Sequence, residues 1–153
     1  MFGRRVMQPR YQVWMGDAGA AYRYSGTLFQ PEPWDMEIQT LCRRLCEDYD
    51  LVLNSVLCNL YEDGAHSMGW HADDEPELGE RPDVVSLSLG SARRFVLKNR
   101  AEPSLKIEYA LGQGDLLIMR GDTQANWLHA VPKTRRPVGP RINLTFRQVW
   151  SVQ

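Results

Sequence analysis

The sequence predicts a mostly β protein with one flanking helix, its strands closing a jelly-roll core (a double-stranded β-helix). Two observations carry that expectation. From Leu51 onward, short runs occur at 52–61, 84–90, 93–98, 105–111, 114–119, 127–131 and 141–149, each bounded by Gly, Pro or polar clusters; this is the spacing of an all-β sandwich or barrel. Ahead of them lies a single stretch of helical periodicity, which a jelly roll carries outside its sheets. At 153 residues, with 43% hydrophobic and 24% charged content, the chain reads as one domain, 1–153, long enough to bury a core.

The first stretch, Met1 to Trp14, is mixed and basic, with Arg4, Arg5 and Arg10, and reads as an irregular arm leading into a strand. Met15-Gly16-Asp17-Ala18-Gly19 is turn chemistry. In Tyr22-Arg23-Tyr24-Ser25-Gly26 two aromatics stand two apart, on one face if the segment is extended. Residues 1–30 thus form an arm in front of the rest. Pro31 and Pro33 announce a helix from Trp34 to about Asp48, with Trp34, Ile38, Leu41, Cys42, Leu45 and Tyr49 at helical spacing. Segment 31–50 is expected to cover a sheet of the 51–153 core. Cys42, Cys46 and Cys58 make no disulfide framework and read as reduced packing residues.

No apolar run approaches the roughly 18 residues of a membrane span, and the N-terminus lacks a signal-peptide pattern. The expected localisation is cytoplasmic, or nuclear in a eukaryote, with no membrane partner. The net charge of −1 conceals an asymmetry: residues 1–83 carry 7 Lys/Arg against 15 Asp/Glu, and residues 84–153 carry 11 against 4. A basic half suits a polyanion such as nucleic acid; equally, the opposite charges can pair within the fold.

The last strand bears the first chemistry. Extended, Arg141-Ile142-Asn143-Leu144-Thr145-Phe146-Arg147 throws Arg141, Asn143, Thr145 and Arg147 to one face and its apolar residues to the other. Two guanidiniums on an inward face are costly unless an anion meets them, and a small dicarboxylate suits their forked donors. Asn59 and Tyr61 alternate onto one face of their own strand, where both can donate to carboxylate oxygens.

His71-Ala72-Asp73 offers an imidazole and a carboxylate to one ion. His129 stands in the apolar strand Trp127–Val131, where a histidine is more commonly a satisfied core residue than a ligand, and His66 lies in a polar turn. Two His and one carboxylate make the facial triad of non-haem Fe(II) oxygenases, whose usual dicarboxylate co-substrate is 2-oxoglutarate. The same three residues suit a zinc hydrolase, which has no use for the Arg141/Arg147 pair. A cupin-like binding module without turnover would be marked by loss of one of these groups.

At these residues the sequence resembles the AlkB-type Fe(II)/2-oxoglutarate-dependent nucleic-acid dealkylases, especially the homologues that repair duplex and single-stranded DNA in animals. The matching text is Asn59-Leu60-Tyr61, Trp70-His71-Ala72-Asp73-Asp74-Glu75, Val85-Ser86-Leu87-Ser88-Leu89-Gly90, Leu117-Ile118-Met119, Thr123-Gln124, Trp127, His129 and Arg141 to Arg147. It covers nearly the whole chain, from about Phe2 to Trp150.

The resemblance implies that His71, Asp73 and His129 bind catalytic Fe(II). It implies that Asn59, Tyr61, Arg141, Asn143 and Arg147 hold 2-oxoglutarate, with Arg141 on the distal carboxylate and O2 as the third reactant. The implied reaction is oxidative demethylation of N1-methyladenine and N3-methylcytosine in DNA, releasing formaldehyde, succinate and CO2 from a flipped base. Tyr24 would stack on that base against His71, Tyr22 would bond its edge or a phosphate, and Ser25 belongs to the same Tyr-x-Tyr-Ser-Gly lid. Asp74 and Glu75 would favour a cationic base, Phe2 would act as a wedge, and Arg10 would touch the backbone. The implied partner is single- or double-stranded DNA, with RNA as a second candidate, bound by a monomer. The same chemistry on RNA or on a protein side chain is the alternative.

Overall fold

A computed structural model of the chain describes residues 10–24 and 27–150, the side chains of residues 22–24 excepted. In order, the elements are β1 (Tyr11–Gly16), β2 (Tyr22–Tyr24), β3 (Thr27–Phe29), α1 (Met36–Tyr49), β4 (Ser55–Tyr61) and β5 (Met68–His71). A 3-10 turn (Pro76–Leu78) follows, then β6 (Val84–Gly90), β7 (Arg93–Asn99), β8 (Lys106–Leu111), β9 (Leu116–Met119), α2 (Thr123–Asn126), β10 (Trp127–Val131) and β11 (Arg141–Arg147). The major sheet runs β1-β4-β11-β6-β9, the minor sheet β5-β10-β7-β8, and β2-β3 form a separate hairpin. Pairings within both large sheets are antiparallel, which gives the jelly-roll core that the sequence predicts.

Strand alternation sorts the major sheet into two unlike faces. Its outer face, with Val56, Val85, Leu144 and Phe146, packs with Cys42, Leu45 and Leu51 into one apolar cluster beneath α1. The helix therefore covers a sheet, as expected. Its N-cap is Asp35, whose side chain accepts from the Glu37 and Ile38 amides, so the helix starts after Trp34 and not on it. At the other end Asp50 closes it in the left-handed region, φ 52°. All three cysteines are free thiols.

The inner face of the same sheet is polar and buried. Register sets Asn59, Asn143 and Ser88 in one row across β4, β11 and β6, and Tyr61 beside Arg141 in the next. Between the sheets, Tyr61, Val84, Phe95, Leu97, Leu111, Met119 and Val131 form a second apolar cluster, which dries the space those polar groups face.

Four elements depart most from the expectation. β5 falls where no strand is expected; its four residues have no alternation, and among the described residues it pairs with β10 alone, with a register shift between His129 and Val131. The 141–149 strand ends at Arg147 and the 52–61 strand begins at Ser55 because the Asn54 side chain takes over the ladder there. Its Nδ2 donates to the Val149 carbonyl, and its Oδ1 accepts from the Val149 amide, each at 2.8 Å. α2 is one turn too short to leave a periodicity. The charge asymmetry is met in part inside the fold, where Arg147 pairs with Asp73, Arg100 with Asp74 and Arg120 with Asp83. Among the described residues no helix is long and apolar enough to cross a membrane.

Candidate functional site

His71 and His129 are direct Cα partners across β5 and β10, and Asp73 lies two residues beyond His71. Ligand atoms of the three lie within 4.8 Å of one another. The His71 Nδ1 is 2.9 Å from the Gly69 carbonyl. A carbonyl only accepts, so Nδ1 carries the proton and the Nε2 lone pair is left for the site. That Nε2 stands 3.8 Å from Asp73 Oδ1, and His129 Nε2 stands 3.8 Å from Asp73 Oδ2. Both gaps are too long for hydrogen bonds.

The electrostatics suit a cation. His129 is 3% exposed, and burial pushes its imidazole down to about 4, so at neutral pH its ring is uncharged. Its ring stacks on Phe95 and meets His71 edge-on at 4.2 Å. Burial of Asp73 opposes its ionisation, but Arg147 and the two imidazoles outweigh that and hold the carboxyl below the usual range. Arg147 Nη2 donates to Asp73 Oδ1 at 3.0 Å, and the Asp73 amide donates to Gln124 Oε1 at 2.9 Å. Asp73 Oδ2 is left buried without a partner. A buried carboxylate oxygen so placed costs free energy until a positive group meets it. Two neutral imidazoles and one carboxylate are the donor set of a facial Fe(II) site, and they fit it.

The same three residues open into a cavity of about 210 Å3 between the sheets, lined further by Asn59, Tyr61, Arg141, Asn143 and Arg147. Arg141 is 1% exposed. One nitrogen, Nη2, donates to Ser88 Oγ at 2.9 Å, while Nε and Nη1 have no partner. Buried Arg93 makes an instructive contrast: it donates to the carbonyls of Asp63, His66 and Pro132 and ties two loops together. Arg93 is complete without a ligand and Arg141 is not. Tyr61 lies under Arg141, 5.3 Å from guanidinium carbon to ring centre. Burial raises its phenol above the ordinary value, so its O–H remains a donor, and its hydrogen-bond contact is to Met68 Sδ, at 3.9 Å.

Several expected residues line the same cavity but also have partners within the protein. Asn143 was expected to donate to the anion, yet its Nδ2 donates to Ser86 Oγ and its Oδ1 accepts from Thr145; it braces the cavity wall. Arg147, expected on the anion, spends Nη2 on Asp73, though its Nε is buried and unpaired. Arg10, expected at a nucleic-acid backbone, turns inward to Asn59 Oδ1 and the Ser67 carbonyl. Asp74 is exposed and paired with Arg100 at 3.0 Å, whereas Glu75 lines the cavity. Tyr22 and Tyr24 have their backbone in β2, but their side chains, and Phe2 and Ser25 altogether, lie outside the described residues. Arg93 carries no sequence signal, and Gln124 only its place in the family resemblance, because each acts through backbone groups distant in the chain.

The sequence pattern of the 2OG-Fe(II) oxygenase superfamily matches residues 2–147. The chain is 41% identical over 152 residues to the human alpha-ketoglutarate-dependent dioxygenase alkB homolog 3, covering 94% of this chain and 52% of that protein. It is 36% identical over 156 residues to the mouse DNA oxidative demethylase ALKBH2, covering 97% of this chain and 65% of that one. The chain thus spans about half the length of the first of these relatives. Among solved structures, OsALKBH1 has the same fold, with a TM-score of 0.62 at 21% identity over 90% of this chain and 77% of the other.

Proposed function

Because the chain belongs to the 2OG-Fe(II) oxygenase superfamily, we propose that it oxidatively demethylates N-alkylated bases in nucleic acid, DNA first. His71, Asp73 and His129 hold Fe(II), and Arg141, Tyr61, Asn59 and Arg147 face 2-oxoglutarate, with Asn143 bracing their wall. The observation that carries this reading is Arg141: a guanidinium buried with two unpaired donors in the cavity that also holds the two histidines and Asp73. Zinc hydrolysis leaves that group without a purpose. The relatives, a dioxygenase and a DNA oxidative demethylase by name, support the same reaction and substrate.

When bound, Fe(II) with 2-oxoglutarate and O2 supplies the oxidising power that hydroxylates an N-methyl group, which then leaves as formaldehyde, with succinate and CO2 as co-products. The protein's own part is placement and exclusion. Arg141 takes the distal carboxylate, and Tyr61 O–H and Asn59 Nδ2 add neutral donors. Arg147 fixes the carboxylate plane of Asp73, while Gln124 fixes the backbone that carries it. Phe95, Met119 and Val131 line the cavity and keep water from it.

Glu75, on the cavity wall, favours cationic N1-methyladenine and N3-methylcytosine over their neutral parents. Residues 1–30 supply the arm and lid, with Tyr24, Tyr22 and Ser25 against the flipped base and Phe2 as the wedge. The protein acts as a monomer in the nucleus or cytoplasm, and RNA is its second substrate.

The test is anaerobic loading with Fe(II) and 2-oxoglutarate, then air, with oligonucleotides carrying one N1-methyladenine as single strand, duplex and RNA. Loss of one methyl mass that needs both additions is the expected result. Succinate without repair keeps the oxygenase and discards the substrate; neither product would leave a silent binding module.

A further inference from the structure

Asn59 is 3% exposed and faces the cavity from β4. Its Cα partner on the edge strand β1 is Gln12. Gln12 Nε2 donates to Asn59 Oδ1 at 2.9 Å, and Arg10 Nε donates to the same oxygen at 3.0 Å. Arg10 is itself anchored by donation from Nη1 to the Ser67 carbonyl at 3.2 Å. A carboxamide oxygen has two lone pairs, and both are engaged here. Turning the amide over would set its N–H groups against two other donors. Asn59 Nδ2, by contrast, meets no acceptor among the described residues.

We propose that Gln12 and Arg10 are positioning residues for the co-substrate: they lock the Asn59 amide so that its N–H groups face the cavity and meet a carboxylate oxygen. The cation of Arg10 on Oδ1 also polarises the amide and strengthens Nδ2 as a donor. Gln12 is exposed on β1 and lies outside the cavity lining, so its influence on a bound anion travels through Asn59. This inference rests on the cavity being the 2-oxoglutarate site.

The measurement is calorimetric titration of 2-oxoglutarate into Mn(II)-loaded protein, with Mn(II) affinity and a thermal melt recorded for each variant. Gln12→Leu, which removes one donor, should weaken 2-oxoglutarate roughly three- to tenfold. Gln12→Glu should weaken it further, because a carboxylate there draws Asn59 Nδ2 back toward β1. Mn(II) affinity should not change in either. In an Asn59→Ala background, adding Gln12→Leu should cost nothing more, since the path is already cut. Unchanged affinity in Gln12→Glu, or a Gln12→Leu loss that adds in full to Asn59→Ala, overturns the proposal. No binding of 2-oxoglutarate by the parent protein overturns the reading of the cavity, and this inference with it.

Discussion

At the scale of single residues, the two buried arginines separate structure from function. Arg93 is satisfied by three carbonyls, so Arg93→Met should destabilise the fold by about 3 kcal/mol or more, read as a lower urea midpoint. Arg141 holds two unpaired donors, and Arg141→Met should leave the ligand-free fold as stable or raise it by about 1–3 kcal/mol. The same change should abolish 2-oxoglutarate binding. A protein that unfolds on Arg141→Met would mean that this guanidinium is structural.

The sequence marked Arg141 through alternation on an inward face and was silent on Arg93, which has its partners on loops 27 to 39 residues away. It likewise set His71 and Asp73 side by side, but the pairing of His71 with His129 is a fact of sheet register. The opposite lesson comes from Asn143 and Arg10. Residue type and spacing say that a side chain can donate; only the neighbours say to whom.

At the scale of elements, legibility followed length and periodicity. α1 has five apolar positions at helical spacing, and the sequence places it to within two residues; the expected start falls early because Trp34 extends the apolar pattern past the cap. Asp35→Ala removes the acceptor for two first-turn amides and should cost about 1 kcal/mol in chemical denaturation. An unchanged midpoint would place the helix start elsewhere. β5 was illegible for a different reason. It is four residues at the edge of the minor sheet, and its register is set by β10 across a bulge. It ends on His71 and sets it opposite His129, and a register shift in an edge strand is suited to re-aiming a side chain toward a site.

At the scale of the whole molecule, the charge asymmetry has two readings, and the structure supports pairing for part of it: among the described residues, three ion pairs set a carboxylate of the acidic half against an arginine of the basic half. Of the remaining positive charge, Lys133, Arg135 and Arg136 lie on the segment between β10 and β11. The site itself is frustrated without ligands, with unpaired polar atoms on Asp73, His129, Arg141 and Arg147. Ligands that satisfy those atoms bind only the folded chain. Mn(II) and 2-oxoglutarate, each at about a hundred times its Kd, should therefore add about 2.7 kcal/mol apiece to stability, or about 5–10 °C apiece in Tm. The 2-oxoglutarate share of that shift should vanish in Arg141→Met. A full shift in that variant would point to a different anion site.

The position of β11 carries a consequence for how the protein is made. It is the centre of the major sheet, yet the strands on either side of it, β4 and β6, end at Tyr61 and Gly90. At roughly 5–20 residues per second, the ribosome delivers β11 several seconds after β4. Through that interval β4 and β6 each show an unpaired edge, a template for mispairing with other nascent chains until β11 fills the gap.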